Sequence, residues 1–311
     1  MTDIVNNNAM LLEHVNCDLC GSNDYVVRYR KPDNWLWLNN FEYPVVECLN
    51  CGLVYVNPRP VFEEMGKFYP EGYHDGRNDE LHLQRYVDQF DYISKFKVAA
   101  VLDIGCARGD WLNYINDQWP TVELHGVDAF SDGVKGGNIV FYKTQLHEAA
   151  LPKAHFDLIT SWAVIEHVHT PDAYFNAVNK LLKPGGKFVF LVTNSESIYG
   201  KYAYKEDIPR HLYHFNAKSL GGYAKKHGLQ LDDISFDERF WDGSGKGAFR
   251  FAMAKILGIT WYDMKKNNFT VLEKILLRLA WGLDRFAFCC NWESRVGKSG
   301  IIVVTMSKAS I

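Results

Sequence analysis

From residue 98 onward the chain alternates two textures. Short apolar runs end in polar or small residues, and each gives way to a stretch whose apolar positions recur every three or four residues. The runs predict strands and the stretches predict helices. Their alternation predicts an α/β fold, a mostly parallel sheet with helices on both faces. The runs are Val101 to Ile104, Val122 to Asp128, Ile139 to Lys143, Phe156 to Trp162 and Lys187 to Val192. Thr170 before Pro171 marks a helix start, and Lys183-Pro184-Gly185-Gly186 marks its end. Gln230 to Ser235 and Ile301 to Met306 predict two last strands. Between them Leu272, Ile275, Leu276, Leu279, Leu283 and Phe286 trace a helical stripe, which predicts a packed helix or a homodimer contact in preference to membrane docking.

The first sixty residues have a different pattern. Tyr25 to Tyr29, Tyr43 to Glu47 and Leu53 to Val56 are short strand signals, and Asn57-Pro58-Arg59-Pro60 stops the last of them, because a proline cannot donate to a ladder. A polar helix is predicted from about Glu80 to Lys97, with Leu83, Tyr86, Val87 and Phe90 as its narrow buried face. The turn before it carries Tyr69, Tyr73 and His74, which could close over a ligand or latch two domains together. The expected organisation is therefore a small module over 1–60, a connecting loop and helix over 61–97, and a large α/β domain over 98–311 with a helical insertion at about 240–298.

Composition narrows the function classes. A chain of 311 residues that is 47% hydrophobic can bury a substantial core. The net charge of −3 and the scattered basic residues argue against nucleic acid as a partner. No apolar run predicts a membrane span, and Met1 to Val15 lacks the basic end and apolar core of a signal peptide, so a cytoplasmic location is expected. Seven cysteines in a reducing compartment point to metal chemistry before disulfides. Cys17-Asp18-Leu19-Cys20-Gly21 and Cys48-Leu49-Asn50-Cys51-Gly52 are the same knuckle twice. Two such knuckles make a tetrahedral four-sulfur set for Zn2+ with no open position, hence a structural zinc ribbon.

After the first α/β strand, Gly105, Ala107 and Gly109 allow a backbone to approach a ligand closely, with Asp103 at the strand end. Asp128 closes the second strand, where an acid can hold both hydroxyls of a ribose. Asp110 follows the last small residue directly and would repel a pyrophosphate, while tolerating a positively charged nucleoside ligand.

These features, with the Phe156-Asp157-Leu158-Ile159 strand, Val164-Ile165-Glu166-His167-Val168 and Leu181-Leu182-Lys183-Pro184-Gly185-Gly186-Lys187-Phe188, resemble the class I S-adenosylmethionine-dependent methyltransferases. The zinc module, the Asn57 to Pro60 segment, the Thr144 to Ala149 loop and Arg210-His211-Leu212-Tyr213-His214-Phe215 are similar to a bacterial branch of that family common in sugar and surface-polysaccharide biosynthesis. The resemblance implies a doubly wound, seven-stranded Rossmann-like sheet ending in an antiparallel pair, with S-adenosylmethionine as cofactor. It implies that Asp103, Gly105, Ala107 and Gly109 hold the methionine portion and Asp128 the ribose. Leu146 would border the adenine, and Ser161 and Trp162 would line the path to the sulfonium. His147 stands where many relatives place an acid, and Ala107 where a glycine is commoner.

Methyl transfer to oxygen or carbon needs a base. On what should be a loop, His211 is the first candidate and His214 the second, with Tyr213 orienting or relaying a proton and Arg210 gripping an anionic acceptor such as a nucleotide sugar. A small molecule or glycan is the expected acceptor. Glu166 and His167 are secondary candidates, favoured as structural.

Overall fold

The computed structural model describes residues 4–7, 10–33, 40–69, 79–198, 207–240, 247–259 and 269–310. The chain divides into two compact units. One comprises Met1–Tyr73, Thr193–Asn216 and Phe236–Ile301, the other His74–Val192, Ala217–Ser235 and Ile302–Ile311.

In the first unit β1 (Ile4–Asn7) pairs antiparallel with β2 (Met10–Glu13). Strands β3 (Tyr25–Lys31), β4 (Tyr43–Cys48) and β5 (Val54–Val56) follow as an antiparallel meander. Tyr43, Val45, Val46 and Cys48 of the middle strand are all buried, whereas Val26 and Val27 on the outer β3 are exposed. Pro58 ends β5 as its missing N–H requires, but the chain does not leave the unit there. Arg59–Pro60 forms β6 against β2, with Leu12 opposite Pro60, an outer position that a proline tolerates.

The second unit opens with α1 (Asp79–Ile93), whose buried side differs from the predicted one. Leu83 and Val87 are exposed, while Gln89 and Ile93 are buried. Tyr86 and Phe90 lie against a cluster of rings on the next helix, with Phe90 4.7 Å from Trp119 and Tyr86 5.8 Å from Trp111. Tyr86 and Phe90 of the predicted face thus pack as expected, and aromatic contact has turned that face away from Leu83 and Val87.

The sheet of this unit starts with β7 (Ala100–Ile104), buried at every position, as expected of a strand covered on both faces. Helix α2 (Asp110–Gln118) buries Trp111, Leu112 and Ile115. Then come β8 (Glu123–Val127), β9 (Ile139–Tyr142), β10 (Phe156–Trp162), α3 (Pro171–Leu181) and β11 (Leu182–Thr193). Pro171 does occupy the first turn of α3, though the Thr170 hydroxyl makes no capping bond. Residues 213–214 form β12, which belongs to the first unit and pairs with β5. Helix α4 (Ala217–Lys226) and β13 (Leu229–Ser235) return to the second unit. Helices α5 (Ala248–Ile256) and α6 (Val271–Ala287) lie in the first, and β14 (Ile301–Lys308) completes the large sheet.

That sheet has seven strands in the order β13-β14-β11-β10-β7-β8-β9. Strands β11, β10, β7, β8 and β9 run parallel, and β13 is antiparallel to β14. The alternation anticipated the mostly parallel sheet, and the family resemblance implied its doubly wound, seven-stranded Rossmann-like form with the antiparallel pair at one edge. Phe175 of α3 packs against Phe188 and Phe190 of β11 and stacks on Tyr223 of α4 at 4.8 Å, which fixes both helices on that part of the sheet.

Helix α6 departs from expectation. Its buried residues are Leu277, Ala280 and Asp284, on the side toward α5. Of the predicted stripe, Leu272, Ile275, Leu279, Leu283 and Phe286 are exposed. The helix is held by a narrow face of one leucine, one alanine and one aspartate, and its broader apolar face points outward.

Candidate active site and metal centre

At the carboxyl end of β7 the backbone enters the left-handed region three times within five residues, at Gly105 (φ +74°), Ala107 (φ +48°) and Gly109 (φ +82°). A Cβ at Gly105 would stand 2.3 Å from a methyl of Val164, and one at Gly109 2.2 Å from a methyl of Val134. Both positions thus need glycine for conformation and for close packing. Ala107, where a glycine is commoner, adopts the same conformation, and its main-chain N–H donates to Asp128 Oδ2 at 2.9 Å. The other oxygen of Asp128 accepts the N–H groups of Phe130 at 2.8 Å and Ser131 at 2.9 Å. Asp128 therefore ties the turn after β7 to the end of β8.

Asp103 is fully buried and accepts a 2.6 Å hydrogen bond from the Thr160 hydroxyl, its register partner on β10. Trp111 Nε1 donates to that same hydroxyl at 3.4 Å. Burial pushes the Asp103 carboxyl up to about 8, against the stabilising bond from Thr160 and with the negative charge of Asp128 adding to the rise. Among the described residues neither acid has a cationic side chain as partner. Two acids with no cationic side chain beside them, next to a turn of positive φ, suit a ligand that carries positive charge. The sulfonium and amino groups of S-adenosylmethionine fit that requirement, and a pyrophosphate does not.

The Ser161 hydroxyl donates to Ile104 O at 3.3 Å, so this side chain is turned back onto β7. Trp162 lies edge-on to Trp111 at 5.8 Å, and its buried Nε1 has no hydrogen-bond partner among the described residues. Such a donor costs free energy unless a ligand meets it. Leu146 is buried in a short 3-10 turn, its N–H donating to the Tyr174 hydroxyl at 3.5 Å, with the His147 ring 5.7 Å from Tyr174. The structure thus draws Asp103, Gly105, Ala107, Gly109, Asp128, Ser161 and Trp162 to the carboxyl ends of β7, β8 and β10, where ligands of open α/β sheets bind. Sequence reasoning missed Thr160, Trp111 and Tyr174. Thr160 had a signal, a hydroxyl in the middle of an apolar run opposite Asp103.

The metal centre is in the first unit. The sulfurs of Cys17, Cys20, Cys48 and Cys51 all lie within 4.8 Å of one another. Sulfur atoms of the two knuckles approach to 3.4 Å between Cys17 and Cys51 and 3.5 Å between Cys20 and Cys48. Each knuckle closes by an N–H of its glycine, Gly21 onto Cys17 O at 2.7 Å and Gly52 onto Cys48 O at 2.9 Å, and both glycines have positive φ. Four thiols aimed at one point by two repeated turns match tetrahedral Zn2+. No ligand atom other than sulfur is in the set, so the ion would have a structural role.

The acceptor candidates also lie in the first unit, and they are not on an open loop. Tyr213 and His214 form β12 beside Tyr55 and Val54, so the segment is an added strand of the cysteine-bearing sheet. The physical cause is the free edge of β5, reinforced by the Val56 N–H donating to Leu212 O at 2.9 Å. Arg210, His211, Tyr213 and His214 are all buried. Arg210 Nη2 donates to Asp207 Oδ1 at 2.7 Å, and His211 Nε2 stands 3.9 Å from Asp207 Oδ2. The Tyr213 hydroxyl receives a 2.9 Å bond from Arg59 Nη1, and burial holds the phenol far above its ordinary range. Tyr69 is partly buried just after the 3-10 turn Phe62–Phe68, whereas Tyr73 and His74 lie outside the described residues.

Comparison with known proteins agrees with this geometry. The family model described as "Methyltransferase domain" matches residues 77–234, just over half of the chain. A ubiquinone biosynthesis O-methyltransferase of Xanthomonas euvesicatoria is 28% identical over 182 residues, covering 52% of this chain and 76% of the relative. One from Xylella fastidiosa is 31% identical over 205 residues, covering 55% and 80%. The solved structure of Haemonchus contortus phosphoethanolamine N-methyltransferase 2 in complex with S-adenosyl-L-methionine superposes with a TM-score of 0.50 at 14% identity, over 99% of this chain and 71% of that one, and so shares the fold. With its seven-stranded sheet, its acid-flanked turn and the family match, the chain belongs to the class I S-adenosylmethionine-dependent methyltransferases.

Proposed function

We propose that the chain transfers the methyl group of S-adenosylmethionine to a hydroxyl oxygen of a sugar or sugar-linked small molecule, a nucleotide sugar foremost, within glycan assembly. The observation that carries this reading is the placement of Arg210, His211, Tyr213 and His214 in the same unit as the four cysteines, with β12 as a strand of their sheet. That unit's strands β1 to β6 precede the stretch matched by the family model. The likeness to relatives that act on other acceptors covers the methyl-donor unit and the Arg210 to His214 segment, and leaves the strands that carry the four cysteines outside it. Oxygen as the accepting atom is favoured because those relatives are named O-methyltransferases.

Bound S-adenosylmethionine supplies a methyl group on a positively charged sulfur. Asp103, Gly105, Ala107, Gly109, Asp128, Leu146, Ser161 and Trp162 would hold it. In-line displacement requires an acceptor hydroxyl that is aligned and relieved of its proton. His211 would take that proton and His214 is the alternative, with Tyr213 as an orienting group anchored by Arg59. Arg210 would meet an acceptor phosphate, and Tyr69, Tyr73 and His74 would border the acceptor.

A second reading follows from the relatives' names, a phenolic hydroxyl on a quinone precursor. Incubation with S-adenosylmethionine and a panel of nucleotide sugars and phenolic quinone precursors, read by mass spectrometry, separates the two. Gain of a methyl group by a nucleotide sugar is expected, and methylation of phenols alone would establish the second reading. His211→Ala is expected to keep cofactor affinity and lose turnover by about 100-fold or more. Undiminished turnover would remove it from the mechanism.

A further inference from the structure

Helix α6 presents its hydrophobic side to solvent. Leu272, Ile275, Leu279, Leu283 and Phe286 are 65%, 50%, 61%, 55% and 83% exposed. Their spacing of three and four residues puts them on one face, opposite Leu277, Ala280 and Asp284. Ile256, at the end of the neighbouring α5, is 78% exposed. Single exposed apolar residues are ordinary on any protein, but a contiguous helical face of this kind marks an interaction surface.

The charges of α6 are sorted as well. Lys274, Arg278 and Arg285 are exposed along one flank of that face, and Arg285 reaches over the Trp281 ring at 4.9 Å. The two acids of the helix are engaged elsewhere. Glu273 accepts from the N–H and hydroxyl of Thr270 in a capping box, and Asp284 is buried, accepting the N–H groups of Phe249 and Arg250 at the start of α5. The exposed rim is therefore cationic. Among the described residues no helix is long and apolar enough to cross a membrane.

We propose that the α5–α6 pair docks the protein peripherally on an anionic phospholipid surface. The apolar face of α6 lies in the boundary between head groups and acyl chains, and Lys274, Arg278 and Arg285 meet the lipid phosphates. An outward apolar face flanked by cations is the chemistry of a helix that lies in the interface plane. A second copy of the chain fits less well, since a two-fold contact through this face would bring the same three cations together with no exposed acid of α6 to pair with them.

The test is co-sedimentation of the full, zinc-loaded chain with vesicles of phosphatidylcholine alone or mixed equally with phosphatidylglycerol. Binding to the anionic vesicles is expected to be at least about tenfold tighter than to the neutral ones and to weaken with added salt. Leu279→Glu and Phe286→Glu should each reduce vesicle binding at least about tenfold. Both replace exposed side chains, so unchanged melting and unchanged S-adenosylmethionine affinity would show that the variants are folded. A Lys274, Arg278 and Arg285 to Gln triple variant should lose the preference for anionic lipid. Absence of vesicle binding, or equal binding to both lipid mixtures, would overturn the proposal. So would a concentration-dependent dimer, dissociated by Leu279→Glu, in a protein that ignores vesicles, and that result would assign the face to a second copy.

Discussion

Arg59 donates from Nη1 to the hydroxyl of Tyr213 at 2.9 Å, and from Nε to Glu13 Oε1 at 2.8 Å. One buried guanidinium thus binds β6 to β2 and to β12, three strands brought from distant parts of the chain. Removing it leaves a buried phenol and a carboxylate without their donor. Arg59→Ala is expected to destabilise the first unit by about 3–5 kcal/mol, measured by urea unfolding, and Arg59→Lys to recover only part of that loss because an ammonium cannot fork to both partners.

The four cysteines give a metal prediction. Cys48→Ser, or treatment with a strong chelator, is expected to remove one zinc per chain by elemental analysis and to unfold the first unit, since the free energy of binding such an ion is also folding free energy. Unchanged melting of the metal-free chain would show that the ribbon stands on its core alone.

For the cofactor, the sign follows from Asp103. Its carboxyl titrates at about 8 in the ligand-free site and is mostly protonated at pH 7. A cationic ligand favours the ionised form, so binding should expel a proton, and affinity should rise with pH until about 8 and then level. Calorimetry in buffers of different ionisation enthalpy reads the proton directly. Asp103→Asn should abolish the release and weaken binding by about tenfold or more.

The turn itself can be tested without ligand. Gly105→Ala and Gly109→Ala would each put a methyl group into a valine side chain at a positive φ. Each is expected to cost about 1–3 kcal/mol of stability in the second unit.

Asp157 supplies an acid-stability prediction. It accepts the N–H groups of Ala99 and Ala100 at 2.9 and 3.0 Å and the Lys183 ammonium at 2.8 Å. Burial opposes its ionisation, but Lys183 and the two N–H groups outweigh burial and hold the carboxyl below its usual range. Its contribution is present above the ordinary carboxylate range and is lost as pH falls through the lowered value. Asp157→Asn should cost about 1–3 kcal/mol at pH 7, and the difference from the parent should vanish in strong acid.

Local patterns predicted the large sheet well, because its inner strands β7 and β10 are buried along most of their length and appear as apolar runs, and the outer β9 keeps an apolar run although it is partly exposed. The knuckles were equally legible, since spacing alone aims their sulfurs. Strand β12 was not, because two residues carry no period and their pairing with β5 is set by a distant free edge. On α6 the stripe was visible but not what faces it. Leu277, Ala280 and Asp284 make the real contact, and Asp284 earns its buried place by capping α5, a role invisible in hydropathy. Thr160 shows the remaining gap: its bond to Asp103 depends on register between strands.

The late arrival of β12 has a consequence for biosynthesis. Arg59 and Tyr213 are 154 positions apart. At about 5–20 residues per second the ribosome needs on the order of 10–30 s to travel between them. For most of that interval the cysteine knuckles and β5 are already made, while the strand that covers the edge is not. The four cysteines can therefore meet a metal ion before their sheet is complete, and until β12 arrives the β5 edge is open to pairing with other chains.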